Sequence, residues 1–403
     1  MNQATCIQAG RVSTAKLTVM LGILTAFAPF STDMYLAAFP AMAGDMNTEV
    51  PRIQLTLSVF FFGLALGQLA YGPLSDRFGR RRPLLAGLII YTAASAGLIF
   101  VRDIEVFLIL RFIQAIGGCA GMIISRAVIR DTFDLNSSAR VLTMMMAVQS
   151  IGPVAAPVIG GYLLALTAWP SIFVLLTCLG AACFIASLFS LPESLPPENR
   201  LEQGPKEIAA GFLALFKSNA FIVPALSGGL GGAAIFAFIT GSPFVLMALY
   251  GLNETQYGWA FGLFCLGTTA FSQSNFILLK KFSARQVLAG ALALMSVAAA
   301  ALSLVIIFQG QPSLAVLLAF LFVALLTIPI ICANATAVAM AASGERAGSA
   351  SSLIGMAQFT LAGLVSSVTS VIHNGTALPM AVVIAVCGLS ALLVLGLGNI
   401  ARR

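Results

Sequence analysis

The chain has 403 residues, 59% of them hydrophobic and only 9% charged, against the ~25% charged residues of an ordinary soluble domain. That composition excludes a soluble globular protein, and continuous apolar runs without period-two alternation exclude a membrane β-barrel. The formal net charge of +7 does not mark a nucleic-acid binder, because the basic residues fall in short links between apolar runs, as membrane topology requires.

The first run, Leu17 to Pro40, is long enough to cross a bilayer, since ~20 residues at ~1.5 Å rise span the ~30 Å hydrocarbon core. Asp33 lies inside it. A carboxylate there costs about 2.5–3.5 kcal/mol on insertion scales, so it is expected to face protein or a wet cavity. Two roles fit: a proton- or cation-handling group, or a structural partner for an arginine elsewhere. Arg11, Lys16 and Ala41-Met42-Ala43 imitate a secretory signal. The run is too long for one, is interrupted by Asp33, and is followed by eleven further runs, so it reads as a retained first span.

The apolar runs predict twelve spans, at roughly 17–40, 53–73, 83–101, 106–128, 140–163, 170–191, 219–249, 256–279, 285–308, 313–341, 347–372 and 377–399. The longest polar gap, from Leu191 to Glu207, divides them six and six, the pattern of a duplicated transporter. The expected units are a bundle over 1–190, a cytoplasmic linker over 191–217 and a second bundle over 218–403. With the N-terminus in the cytoplasm, eighteen of the 21 Lys and Arg residues fall in connections on that side, and only Arg52 and Arg102 on the other. Both termini are therefore expected inside. The remaining one, Arg111, enters the fourth span at about the depth of Asp33 in the first, so the two are candidates to neutralise each other.

Several signals lead nowhere. One His, and seven Cys without a CxxC pair, supply no metal or redox site. Gly229 to Ala234 fits GxGxxA but lacks a βαβ context, and no GxxxxGK[ST] is present, so ATP is not the energy source. His373 falls in an outer loop. Met144-Met145-Met146 point in different directions, as lipid or helix packing would use them.

After the second span the chain reads Gly72-Pro73-Leu74-Ser75-Asp76-Arg77-Phe78-Gly79-Arg80-Arg81-Arg82. The glycines permit tight turns and close approach, and Asp76 at a helix end can hold basic side chains. Topology explains the arginines but not Gly72, Gly79 or Asp76. This stretch resembles the signature loop of the major facilitator superfamily, matching at Gly72, Leu74, Asp76, Arg77, Gly79, Arg80 and Arg81, and it reads as a conformational latch. Thr32-Asp33-Met34-Tyr35-Leu36 with Phe39-Pro40 resembles the first-span motif of drug:proton antiporters of the Bcr/CflA (bicyclomycin-resistance) group, with Ala37 where that group usually has Pro. Arg111 to Gly117, including Gln114, resembles the fourth-span motif RxxQxxG, whose arginine couples the proton and substrate sites. Gly152 with Ala156-Pro157-Val158-Ile159-Gly160-Gly161 resembles the fifth-span antiporter motif, with Ala156 for a glycine. Small residues there allow close helix approach, and Pro153 and Pro157 bend the helix, which suits a hinge or seal. Thr240 to Phe244 resembles the seventh-span SPF signature, and Asn334 a polar tenth-span position.

The resemblance implies an all-α membrane protein of the major facilitator fold, twelve helices in two six-helix bundles, with a cavity lined by spans 1, 4, 7 and 10. It implies proton coupling at Asp33 and Arg111, and substrate contact at Tyr35, Gln114, Phe236, Thr240 and Asn334. The expected activity is export of small molecules, such as bicyclomycin- or chloramphenicol-like antibiotics, across the bacterial inner membrane by alternating-access proton antiport. The alternative is a metabolite carrier of the same fold, for instance for purine nucleosides, working by symport. The expected partners are substrate, protons and lipid. No enzyme activity, cofactor, metal or nucleic acid is expected, and the protein is expected to be a monomer.

Overall fold

A computed structural model describes residues 14–200, 205–344 and 347–400. Cys6, Arg11, Arg346, Arg402, Arg403 and residues 201–204 lie outside the described residues, as does the side chain of Lys206. Among the described residues every regular element is helical. Eleven helices are long and apolar enough to cross a membrane: Lys16–Asp45, Val50–Phe78, Arg81–Phe100, Ile104–Thr132, Arg140–Leu166, Pro170–Ser190, Asn219–Leu249, Ala284–Gln309, Leu314–Ala341, Gly348–Val371 and Leu378–Gly398. The expected eighth span also forms, as Glu254–Ser272 continued by Ser274–Leu278. Its first turn holds Glu254 and Gln256, and its Gly and Thr residues dilute its hydropathy. The twelve-helix count thus holds approximately.

Proline explains where the spans break. Pro29 has no N–H for the carbonyl of Thr25, and the first span stops there and restarts at Phe27. Pro40 likewise cannot bond Leu36, and a 3₁₀ turn, Leu36–Ala38, separates Asp33 from the helix Phe39–Asp45. The expected first span is present but broken: Ala37, where the related group has Pro, is within that turn. Pro329 breaks the tenth span at Thr327 in the same way. The second span runs through Gly72 and Pro73 to Phe78, so most of the expected signature loop is helix. The expected linker contains a helix as well, Pro205–Phe216, which packs on the seventh and eleventh spans.

Within the first half the second span packs on the fourth, the third on the fourth and sixth, and the first on the fifth. Within the second half the seventh packs on the tenth, eleventh and twelfth, and the ninth on the tenth and twelfth. The halves meet mainly along two pairs, second against eleventh and fifth against eighth. The 3₁₀ turn Leu36–Ala38 also touches the seventh and eighth spans. It closes the seam at the end away from the arginine-rich connection.

Candidate functional site

The break in the first span decides what surrounds Asp33. It is the last residue of Phe27–Asp33, 5% exposed, and its Oδ1 accepts a hydrogen bond from the Thr32 hydroxyl at 2.8 Å. The Thr32 hydroxyl also bonds the carbonyl of Ala28 at 2.9 Å, which ties it to its own helix. Ser31, two residues before Asp33, bonds the Tyr91 hydroxyl of the third span at 2.8 Å.

Arg111 is fully buried. Its Nη1 donates to Gln114 Oε1 at 2.6 Å and its Nη2 to the carbonyl of Ser31 at 3.0 Å. The guanidinium lies between two rings, 4.4 Å from the centroid of Tyr35 and 4.3 Å from that of Phe60. A planar, weakly hydrated cation suits such a slot. Its Nε has no acceptor among the described residues. Gln114 passes the chain on, donating from Nε2 to Ser95 at 2.8 Å. The Tyr35 hydroxyl bonds Thr56 at 2.8 Å. Asp33, Tyr35, Arg111 and Gln114 thus gather in the first half. Among the described residues no ion pair joins Asp33 to Arg111, so matched depth does not become direct contact in this conformation.

The second-half candidates do not form one cluster. Phe236 meets Phe61 of the second span edge-on, with centroids 4.5 Å apart. Thr240 is buried, sharing a hydrogen bond with Ser366 at 2.6 Å, and its carbonyl accepts from Gln54 Nε2 at 3.0 Å. Asn334 turns instead to the eighth span, donating to Asn275 Oδ1 at 2.7 Å and to its own helix at Ile330. Phe236 and Thr240 therefore lie on the seam between halves, and Asn334 between two helices of the second half.

Around the arginine-rich connection the centre is Arg80. Its Nη1 donates to Asp76 at 2.5 Å and to Ser75 at 2.9 Å, and its Nε to Asp131, at the end of the fourth span, at 2.7 Å. Burial alone lowers the pKa of Arg80, but its hydrogen bonds to Asp131 and Asp76, and their charges, outweigh that and raise it. Glu193, beyond the sixth span, accepts from the backbone N–H of Arg80 at 2.7 Å and of Arg81 at 3.3 Å. Gly79 has φ +87°, and a Cβ on it would run into the Glu193 carboxylate, so glycine is required twice over. Gly72 is helical, and a Cβ there would sit 3.5 Å from Ser352, so no turn needs it. Arg77 is exposed beside Phe78, and Arg81 also reaches the carbonyl of Leu188.

The fifth span sits between two partners. A Cβ on Gly152 would crowd Pro29, and one on Gly160 the carbonyl of Met34, both in the first span. One on Gly161 would meet the carbonyl of Glu254, in the eighth. Pro153 and Pro157 lie inside the helix, and the carbonyl of Pro157 closes on Gly258.

Residue-type reasoning missed Glu193, Asp131, Gln54, Ser31, Tyr91 and Gly258. Of these only Glu193 and Asp131 left a trace, as acids among the basic connections. The others are polar or small residues in apolar helices, with no local signature.

Membrane-length helices in two packed groups, with buried ionisable groups on a broken first helix, define a membrane carrier. The family model described as the Major Facilitator Superfamily matches residues 21–367. The bicyclomycin resistance protein homolog of Haemophilus influenzae is 31% identical over 378 residues, 93% of this chain and 94% of that one. Multidrug resistance protein MdtL of Vibrio parahaemolyticus is 30% identical over 334 residues, 82% of each chain. Among solved structures, a bacterial homolog to the human lysosomal transporter Spinster, inward-facing and occupied, superposes with TM-score 0.73 at 15% identity, covering 96% of both chains. The chain belongs to the major facilitator superfamily, and is a membrane transporter rather than an enzyme.

Proposed function

We propose that this protein exports drug-like small molecules from the bacterial cytoplasm in exchange for protons, as a monomer with both termini inside. Residues 1–190 and 218–403 act as the two moving bundles. The names of its relatives support the substrate class, and the Lys and Arg asymmetry of the connections supports the orientation. The observation that carries the proton coupling is Asp33: a carboxyl group buried at a helix break, held by Thr32 and free of any ion pair among the described residues. Such a group exchanges a proton for substrate as the two sides take turns reaching it. Facing the more acidic side it takes a proton and substrate leaves, and facing the other it loses the proton and substrate rebinds. Arg111, held between two rings and by the neutral acceptors Gln114 and Ser31, is the fixed charge that orients this wall.

Asp33→Asn in proteoliposomes tests this reading. The variant should insert normally, yet release no protons when chloramphenicol is added and support no uphill export. Uphill export at the wild-type rate would eliminate the scheme, and protons moving in the same direction as substrate would replace antiport by symport.

A further inference from the structure

Asp33 also has neighbours on the other half of the protein. The carbonyl of Met34, the next residue, blocks the place of a Cβ on Gly160, and Glu254 and Thr255 block that on Gly161. Two consecutive residues of the fifth span thus separate the break in the first span from the first turn of the eighth. The turn Leu36–Ala38 also touches the eighth span directly. Tyr257 stands one turn into that helix, fully buried. Its hydroxyl shares a 3.0 Å hydrogen bond with the equally buried Ser242 of the seventh span. The charge of Asp33 acts on Tyr257 and, further along the same helix face, on Cys265.

The other titratable and charged groups of the elements packed here are occupied or remote. Tyr35 bonds Thr56, Tyr91 bonds Ser31, and Asp45 accepts from Trp169. Arg111 is held by Gln114 and Ser31. The fifth span offers Arg140 at its far end and Tyr162, turned to Trp259. The seventh, Asn219–Leu249, has no ionisable residue. In the eighth, Glu254 is itself an acid and the Cys265 thiol is a weak donor, so Tyr257 supplies the strong one.

Either hydroxyl of the Tyr257–Ser242 pair can donate to the other. When Ser242 donates, the phenol proton is left over. The Asp33 carboxyl receives one side-chain hydrogen bond among the described residues, from Thr32, so its ionised form lacks a donor. A hydrogen bond to the charged form favours that form.

We propose that Tyr257 donates to the Asp33 carboxylate while the halves are closed at this end, and so positions the second half to ease loss of the Asp33 proton. Tyr257 keeps its own proton; the one that leaves is that of Asp33, and it passes to water. When the halves part at this end the donor leaves with the eighth span, and Asp33 holds its proton more tightly. The use made of this rests on the export reading above; the donor itself does not.

The test titrates Asp33 directly, in the full chain in proteoliposomes with neither substrate nor proton gradient. It therefore answers whether or not Asp33 drives export. Infrared difference spectra follow the carbonyl stretch of the protonated carboxyl group, and Asp33→Asn identifies the band. Tyr257→Phe keeps the ring and removes the donor, so the titration midpoint should rise by about one pH unit, roughly tenfold in proton affinity. Ser242→Ala frees the phenol for Asp33, so the midpoint should fall. A bond that merely packs the seventh span on the eighth would move both variants the same way. An unmoved or lower midpoint in Tyr257→Phe, or a rise in both variants, would overturn the proposal.

Discussion

Arg111 reaches the backbone carbonyl of Ser31 at 3.0 Å, two residues short of the carboxylate of Asp33. The cation is thereby anchored to the segment that carries the acid without neutralising it. Its charge is balanced by the faces of Tyr35 and Phe60 and by Gln114.

Arg111→Lys should therefore fail. An ammonium keeps the charge but cannot stack between two rings and bond Gln114 and Ser31 together, and cation–π contacts in desolvated sites are worth about 2 kcal/mol. Transport of chloramphenicol in proteoliposomes should fall by roughly tenfold or more, the factor that ~1.4 kcal/mol represents. Size-exclusion profiles should stay normal. Full activity in the lysine variant would show that charge alone suffices.

Adjacent glycines of the fifth span should give different phenotypes. Gly160→Ala forces that helix off the first span at Met34, and Gly161→Ala forces it off the eighth at Glu254. Overpacking costs about 1–3 kcal/mol at each. Both should lower the melting temperature, but only Gly161→Ala should loosen the seam between halves, read as a longer spin-label distance across it.

At the arginine-rich connection, Gly79→Ala combines a left-handed backbone with a clash on Glu193, at a cost of about 1–3 kcal/mol. Glu193→Gln keeps the shape and removes the charge from three backbone hydrogen bonds, from Arg80, Arg81 and Leu195, which is worth about 1–2 kcal/mol. Thermal unfolding should rank Gly79→Ala as the more damaging. Equal melting temperatures for both variants and the parent would show that Glu193 holds nothing.

Gln54→Leu removes the hydrogen bond from the second span to the Thr240 carbonyl of the seventh. Losing about 1 kcal/mol from one conformation shifts a two-state balance roughly fivefold. Distances between labels on Arg52 and the loop after the seventh span should move toward the separated population. An unchanged distribution would place the seal elsewhere.

The sequence by itself determined the class and the span count to within one polar helix, and it marked Asp33 and Arg111 as charges inside spans. Hydrophobic length, the position of Lys and Arg, and the cost of burying charge are local quantities, written where they act. Asp33, Arg111 and Gly79 are therefore legible one at a time. Only the tertiary structure decided that Arg111 bonds Ser31 rather than Asp33, that Glu193 grips the Arg80 and Arg81 backbone more than a hundred positions earlier, and that Gly160 and Gly161 serve different neighbours. Those facts depend on where Pro29 and Pro40 break the first helix and on which helix faces meet. No residue records its partner when the partner is fixed by packing between distant segments.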